Sequence, residues 1–353
     1  LSRRREAVSV LRNRQKGDDW EAILDVACRV AKNSQEDDSD FLDLSKTKIE
    51  IPDEQWLVQG LLGKKKPTIL FAEGGTGKSM IGTAMSMSVS TMIEVIDGVQ
   101  PMDTGQVLYL DWETDEEEFG SRVQAITNSL NKKGRSNQPL VQEDFPITYR
   151  RCTDSLVALQ PRLSKWLDHN TCPLIVVDSL IPALDGDAND SETARRFMNI
   201  LRSFETSVLI LSHTSKEGKL FGSTFWWNLA RNVWSVSKEQ DMGDNYVDIA
   251  LTHKKSNNSR LYPPIGIRMN YENNVADFER IEVSDFGNQL SQSLPIRTRV
   301  RQELKTGKLM TAAEIAEELQ VSLESVSMAL KRGKGTVFMD VVEPNGQRQW
   351  RLR

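Results

Sequence analysis

The sequence has few of the residues that build metal cages and covalent frameworks. Its 353 residues include three cysteines (Cys28, Cys152 and Cys172) and three histidines. The cysteines are scattered and odd in number. That excludes a disulfide framework and any Cys/His zinc spacing, and it reads as buried thiols in a reducing compartment. No apolar run approaches the length of a membrane span and no signal-peptide pattern is present, so the expected setting is cytoplasmic, with no membrane partner. The first residue is Leu1 rather than Met, from which a fragment of a longer protein is expected. Hydrophobic residues at 39% and charged residues at 27% fit an ordinary globular chain with room for two or three domains. The net charge of −5 is uneven: residues 297–353 carry eleven Lys/Arg against seven Asp/Glu. A basic tail on an acidic core points to nucleic acid as the tail's partner.

The most informative stretch runs from Pro67 to Met80. An apolar strand, Thr68-Ile69-Leu70-Phe71-Ala72, leads into Glu73-Gly74-Gly75-Thr76-Gly77-Lys78-Ser79-Met80 and then a helix. Three glycines let the backbone turn tightly enough for its N–H groups to face one cavity, and the helix adds its positive end. In a phosphate loop of this kind Lys78 reaches the β- and γ-phosphates and the Ser79 hydroxyl ligates Mg²⁺. The first motif position is Ala72 rather than Gly. The expected ligands are ATP and Mg²⁺, with residues 73–80 binding the nucleotide.

Strand and helix alternate from Ile69 to Leu211, which predicts an α/β fold with a mostly parallel sheet covered on both faces. Leu174-Ile175-Val176-Val177-Asp178 is an unalternating β-branched run, as buried parallel strands require. Ligands of such sheets sit beyond the carboxyl ends of the strands. Ser79, Glu113, Asp178 and His213 all fall there. Asp178 is placed as the second Mg²⁺-holding group. Glu113 is placed as the group that orients and deprotonates the attacking water, with Asp111 as its competitor on pattern alone. His213 is placed where it could sense the γ-phosphate. Val233–Val236 and Tyr246–Leu251 alternate as antiparallel edge strands would.

The order of these motifs resembles the RecA-like ATPases of the hexameric replicative helicase group. It comprises the loop to Ser79, Tyr109-Leu110-Asp111-Trp112-Glu113, Ile175-Val176-Val177-Asp178-Ser179 and Leu211-Ser212-His213-Thr214-Ser215-Lys216. The likeness is to the small RepA-type plasmid and phage helicases in particular, over roughly residues 50–270. It implies a homo-oligomeric ring, usually of six subunits, with ATP sites between neighbours. Single-stranded DNA would lie in the channel and forked DNA would be the substrate. By that likeness Glu113 is the catalytic base, Asp178 the Walker B acid and His213 the sensor. His253-Lys254-Lys255-Ser256-Asn257-Asn258-Ser259-Arg260 resembles the segment that sends a cation into the neighbour's site. Lys255 and Arg260 are the two candidates for that cation. Lys216-Glu217-Gly218-Lys219 and residues 186–189 are expected to face DNA.

The remaining segments frame this core, which spans 46–284. Residues 1–45 read as an N-terminal arm with an amphipathic helix, and 285–296 as a linker. Residues 297–353 resemble a winged helix-turn-helix: a capping box at Thr311–Glu314, a turn at Gln320-Val321-Ser322, a second helix and a closing hairpin. The sequence leaves two further functional classes open. One is an ATP-switched DNA-binding regulator or initiator that never translocates. The other is a scaffold for a primase or polymerase module.

Overall fold

The computed structural model describes residues 55–353 apart from 216, 217, 258, 343 and 345, together with Ser45. The chain divides into two units, Leu1–Asp53 and Glu54–Arg353. The expected N-terminal arm and the loop tip at Lys216-Glu217 lie outside the described residues. No helix among the described residues is long and apolar enough to cross a membrane.

The larger unit is built on a nine-stranded sheet. A short hairpin, β1 (Trp56–Val58) and β2 (Leu62–Gly63), precedes it. The chain then runs β3 (Pro67–Ala72), α1 (Lys78–Thr91), β4 (Val107–Asp111), α2 (Glu116–Lys132), β5 (Ile147–Arg151) and α3 (Leu156–Leu167). It continues with β6 (Leu174–Asp178), α4 (Ser191–Ser203), β7 (Ser207–His213), α5 (Thr224–Leu229) and β8 (Asn232–Glu239). The strands β9 (Tyr246–Ser256), β10 (Ile265–Glu272) and β11 (Val275–Ile281) complete the sheet, whose order is β11-β10-β9-β8-β3-β7-β6-β4-β5.

The two-residue period of a strand explains why both faces of this sheet are covered. Leu70, Val107, Tyr109, Leu174, Val176, Leu209 and Leu211 bury into a core that contains Met80, Ile81 and Met85 of α1 and Phe119 and Ile126 of α2. Their neighbours in sequence, Ile69, Phe71, Leu108, Leu110, Ile175, Val177, Val208 and Ile210, bury into a second core with α3, α4 and Trp226 of α5. Each central strand is therefore apolar throughout, as the unalternating runs indicated. The transition to antiparallel pairing comes one strand later than expected. β8 runs parallel to β3 and pairs antiparallel only with β9, because the α5 connection returns the chain across the sheet before the hairpins begin.

A ring column closes the β1–β2 side. Trp234 and His253 stack with centroids 4.2 Å apart and planes 5° from parallel, and Trp56 meets Tyr262 edge-on. His253 Nδ1 accepts from the Tyr262 N–H at 3.0 Å, and burial pushes the imidazole pKa down to about 4. Between about pH 4 and the ordinary value near 6.5 the unfolded chain takes up a proton that the folded chain refuses. The stability contributed by neutral His253 is thus complete above pH 6.5 and is lost as the pH falls toward 4. It amounts to at most about 3 kcal/mol. Thermal melts at pH 7.5 and pH 5 check this: His253→Phe, which keeps a stacking ring, should show a smaller drop in melting temperature than the unaltered protein. An equal drop in both would place the pH sensitivity elsewhere.

The segment expected as a linker packs on the sheet. It contains α6 (Asn288–Ser293), flanked by Phe286 and Leu294, which with Leu290 are buried against Ala250. Beyond it α7 (Ile296–Glu303), β12 (Met310–Thr311), α8 (Ala312–Glu318), α9 (Leu323–Gly333), β13 (Phe338–Val342) and β14 (Arg348–Leu352) form a small C-terminal layer. Its three strands are ordered β12-β14-β13. The Thr311–Glu314 capping box opens α8 and Ser322 caps α9. Val300, Leu304, Ile315, Val326, Leu330, Phe338 and Trp350 form its core. Gly333 is required there, since a Cβ would come within 2.4 Å of the Phe338 ring.

Candidate active site

The phosphate loop leaves β3 at Ala72 and enters α1 at Lys78. Gly75 and Gly77 have φ of +66° and +87°, the left-handed region that glycine enters without strain. Gly77 is the N-cap of α1 and supplies no side chain to its first amides. Those amides therefore remain available to an anion. The loop's carbonyls are held by lysines. Lys78 Nζ donates to Ala72 O at 3.2 Å and Glu73 O at 2.8 Å, and Lys238 Nζ of β8 donates to Gly75 O at 2.7 Å. Burial lowers the Lys78 pKa, opposed by the negative charges of Glu113 and Asp178.

Asp178 ends β6 in an almost fully buried position. Its Oδ2 accepts from the Tyr109 hydroxyl at 2.7 Å, and its carboxylate also meets the Ser79 side chain. Burial pushes its pKa up to about 6, against the pull of those two hydrogen bonds.

Asp111 and Glu113, interchangeable on pattern, have different roles. Asp111 is fully buried at the end of β4. Its Oδ1 accepts from the N–H groups of Glu113 (2.8 Å) and Thr114 (3.0 Å), and its Oδ2 from the hydroxyls of Thr114 (2.6 Å) and Tyr149 (3.2 Å). It locks the turn that presents Glu113. The Glu113 carboxylate accepts from the Ser179 hydroxyl and lies 3.0 Å from His213 Nε2. Partial burial alone would raise the Glu113 pKa. The hydrogen bonds from Ser179 and His213 and the nearby Lys78 charge outweigh it and take the pKa below the ordinary value.

Residues Gly75 to Met80, Glu113 and His213 line one cavity of about 640 Å³. Its far wall is Arg122 of α2 and the β10–β11 turn at Tyr271, Asn273 and Asn274. That two-residue turn needs positive φ at both positions, and Asn273 and Asn274 supply +50° and +60°. Asn128 of α2 pins it by donating to Asn274 O at 3.0 Å. Glu73 and Gly74 are exposed and do not line the cavity.

Lys255 and Arg260 do not line this cavity. The Lys255 ammonium donates to the carbonyls of Trp227, Asn228 and Ala230 at 2.6, 3.1 and 2.8 Å, closing the C-terminus of α5. Arg260 is exposed beyond the end of β9.

A family model described as an AAA domain matches residues 31–219, more than half of the chain. The chain belongs to the AAA domain family. Among solved structures it is similar to a KaiC-like protein from the hyperthermophilic archaeon Pyrococcus horikoshii OT3. That likeness has a TM-score of 0.44 at 13% identity and covers 66% of this chain and 97% of the other. A comparison with curated proteins gives no match. The AAA domain match takes in the phosphate loop, Glu113, Asp178 and His213, which stand at the ends of the parallel strands of the sheet or just beyond them.

Five residues at or beside this cavity were not singled out from sequence: Tyr109, Ser179, Arg122, Lys238 and Tyr271. Arg122 carried a faint signal, an i,i+4 pair with Glu118 on a helix opening with three acids. Lys238 and Tyr271 arrive from strands far along the chain and could be placed only by the topology.

The residues present fit a magnesium ion. Among the described residues no three His, Cys, Asp or Glu side chains form an all-protein cage. Mg²⁺ in nucleotide sites needs only one or two protein oxygens beside substrate phosphates. The Ser79 hydroxyl and the Asp178 carboxylate, already in contact, are such a pair.

Proposed function

We propose that this AAA-domain ATPase is a ring-forming motor that translocates on single-stranded DNA and separates duplex at a fork. The observation that supports it is the continuity between the phosphate site and two exposed loops. β6 carries Asp178 and runs into the loop to Asn189; β7 carries His213 and runs into the loop to Ser223. The two loops are stitched together: the Trp226 indole and the Ser223 N–H both donate to Ala188 O, at 2.8 and 2.9 Å. Beside them Lys219, Phe221, Trp227 and Lys254 line a groove, a mixture of cations and rings suited to a single strand's phosphates and bases. A shift of Glu113 or His213 on loss of the γ-phosphate reaches this groove through one strand end.

In this reading the amides of 75–79 and Lys78 bind the β- and γ-phosphates, and Ser79 and Asp178 hold Mg²⁺, which would neutralise charge on the phosphate oxygens. Glu113 takes the proton of the attacking water, and His213 orients that carboxylate. Arg122 and Tyr271 wall the base end of the cavity. Lys255 is engaged by its own α5, so Arg260 is the cation proposed to complete a neighbour's pocket. We read the C-terminal layer, with α7, α8, α9 and the closing β13–β14 hairpin, as a winged helix-turn-helix.

The test is strand displacement on a forked duplex with ATP, together with electron microscopy of the assembly. Unwinding by closed rings supports the motor. Hydrolysis and DNA binding without displacement would instead fit an ATP-switched regulator. Mixing Arg260→Ala with Glu113→Gln subunits tests the shared pocket: activity should rise above that of both pure populations, because some pockets then pair an intact Glu113 with an intact Arg260, and a strict average of the two would indicate self-contained sites.

A further inference from the structure

Charge in the C-terminal layer is segregated along the chain. Residues 297–330 carry five cations and five carboxylates, whereas 331–353 carry six cations and two carboxylates. The fold gathers that second group onto one edge. Lys331 and Arg332 are exposed on the last turn of α9. Arg353 Nη1 donates to Gly335 O just beyond that turn, and Arg351 stands opposite Met339 on the outer face of the β13–β14 hairpin. Among the described residues of this edge the one carboxylate is Asp340, which is already shared by Lys334 at 2.7 Å and Arg348 at 3.3 Å.

The opposite end of the layer has the reverse character. α8 exposes Glu314, Glu317 and Glu318 and has no cation. The exposed start of α9 offers Leu323 and Glu324, with Met328 a turn later. When a helix-turn-helix enters a major groove, its first helix crosses the phosphate backbone and the start of its second helix meets the base edges. Here that pose would set three carboxylates of α8 against phosphates and an apolar, acidic helix start against the bases. The hairpin edge meets none of these objections.

We propose that the β13–β14 hairpin and the last turn of α9 form a binding edge for the phosphate backbone of double-stranded DNA, with α8 and the start of α9 turned away from the duplex. Contact is through arginine and lysine to phosphate, so it is independent of base sequence. This edge does not depend on the ATP site.

The test uses the full chain without nucleotide and fluorescence anisotropy of a labelled random-sequence duplex, with excess oligothymidine to occupy any single-strand site. Arg351→Gln/Arg353→Gln should weaken duplex binding about tenfold or more and reduce the slope of log K against log salt by about 2, since each lost phosphate contact removes about 0.9. Lys331→Gln/Arg332→Gln, which changes exposed side chains only, should act in the same direction and keeps the test valid if Arg353 matters for folding. Glu324→Ala/Met328→Ala should leave affinity within about twofold. Unchanged affinity and slope in both hairpin-edge variants would overturn the proposal, as would a larger loss in the Glu324/Met328 variant. Failure of the unaltered protein to bind duplex at about 50 mM salt, where phosphate contacts are strong, would also overturn it. Repeating the measurement in a Lys78→Ala background should change nothing, which separates this edge from the ATPase reading.

Discussion

Glu113→Gln should cut steady-state ATP hydrolysis by about 10²–10⁴-fold, the usual contribution of a positioned general base, while leaving nucleotide binding nearly unchanged. The amide keeps the size of the carboxylate and one oxygen to accept from the Ser179 hydroxyl, but it cannot take a proton. The carboxylate is well prepared to take one, because Ser179 and His213 donate to it and Lys78 lies near, and together they keep it ionised. Asp111→Asn is the informative companion. Asp111 uses both oxygens to accept from four groups in a buried turn, so an Asn that keeps its oxygen on the two N–H groups sets its NH2 against the hydroxyls of Thr114 and Tyr149, which must then turn from donating to accepting. That change should lower the melting temperature and reduce hydrolysis together, because it unlocks the turn. Hydrolysis and fluorescent-nucleotide binding, measured beside thermal melts, separate the two. Full turnover in the Glu113→Gln protein would remove Glu113 as the base.

The contrast between these two carboxylates marks where sequence pattern stops being informative. The strands were legible because burial on both faces leaves long apolar runs, and because only a phosphate loop combines glycines with Lys78-Ser79 after such a run. The positions beyond the strand ends were legible for the same reason. What decides between Asp111 and Glu113 is a turn two residues long, whose geometry is set by Tyr149 and Thr114. Lys255 shows the same limit from the other side. The resemblance offers it as a cation for a neighbour's site; within its own chain it pairs with Val233 beside a bulge in the β8–β9 register and its ammonium donates to the carbonyls that end α5. The packing of the linker segment was hidden for a related reason: Phe286, Leu290 and Leu294 are too sparse to give a period, but spaced by four they cluster with Ala250.

Lys78→Ala should abolish productive nucleotide binding and lower hydrolysis by at least about 10²–10³-fold, the cost of removing one preorganised charge partner of a transferred group. The folded protein should tolerate the change. A lysine that is desolvated and held by two loop carbonyls is partly strained by its burial, as its lowered pKa records, even though Glu113 and Asp178 favour its charge. Truncation to Ala therefore removes a costly buried ammonium together with two hydrogen bonds, and the two effects oppose each other. The melting temperature of the ligand-free protein should shift little. The large difference should emerge only with nucleotide: MgATP analogue should raise the melting temperature of the unaltered protein and fail to raise that of the variant, since a ligand stabilises only the state that binds it. If the variant were instead strongly destabilised without ligand, Lys78 would be a structural pin of the loop, and the cavity beside it would lose its principal phosphate group. A large ligand-induced shift that survived the substitution would move the nucleotide elsewhere in the fold.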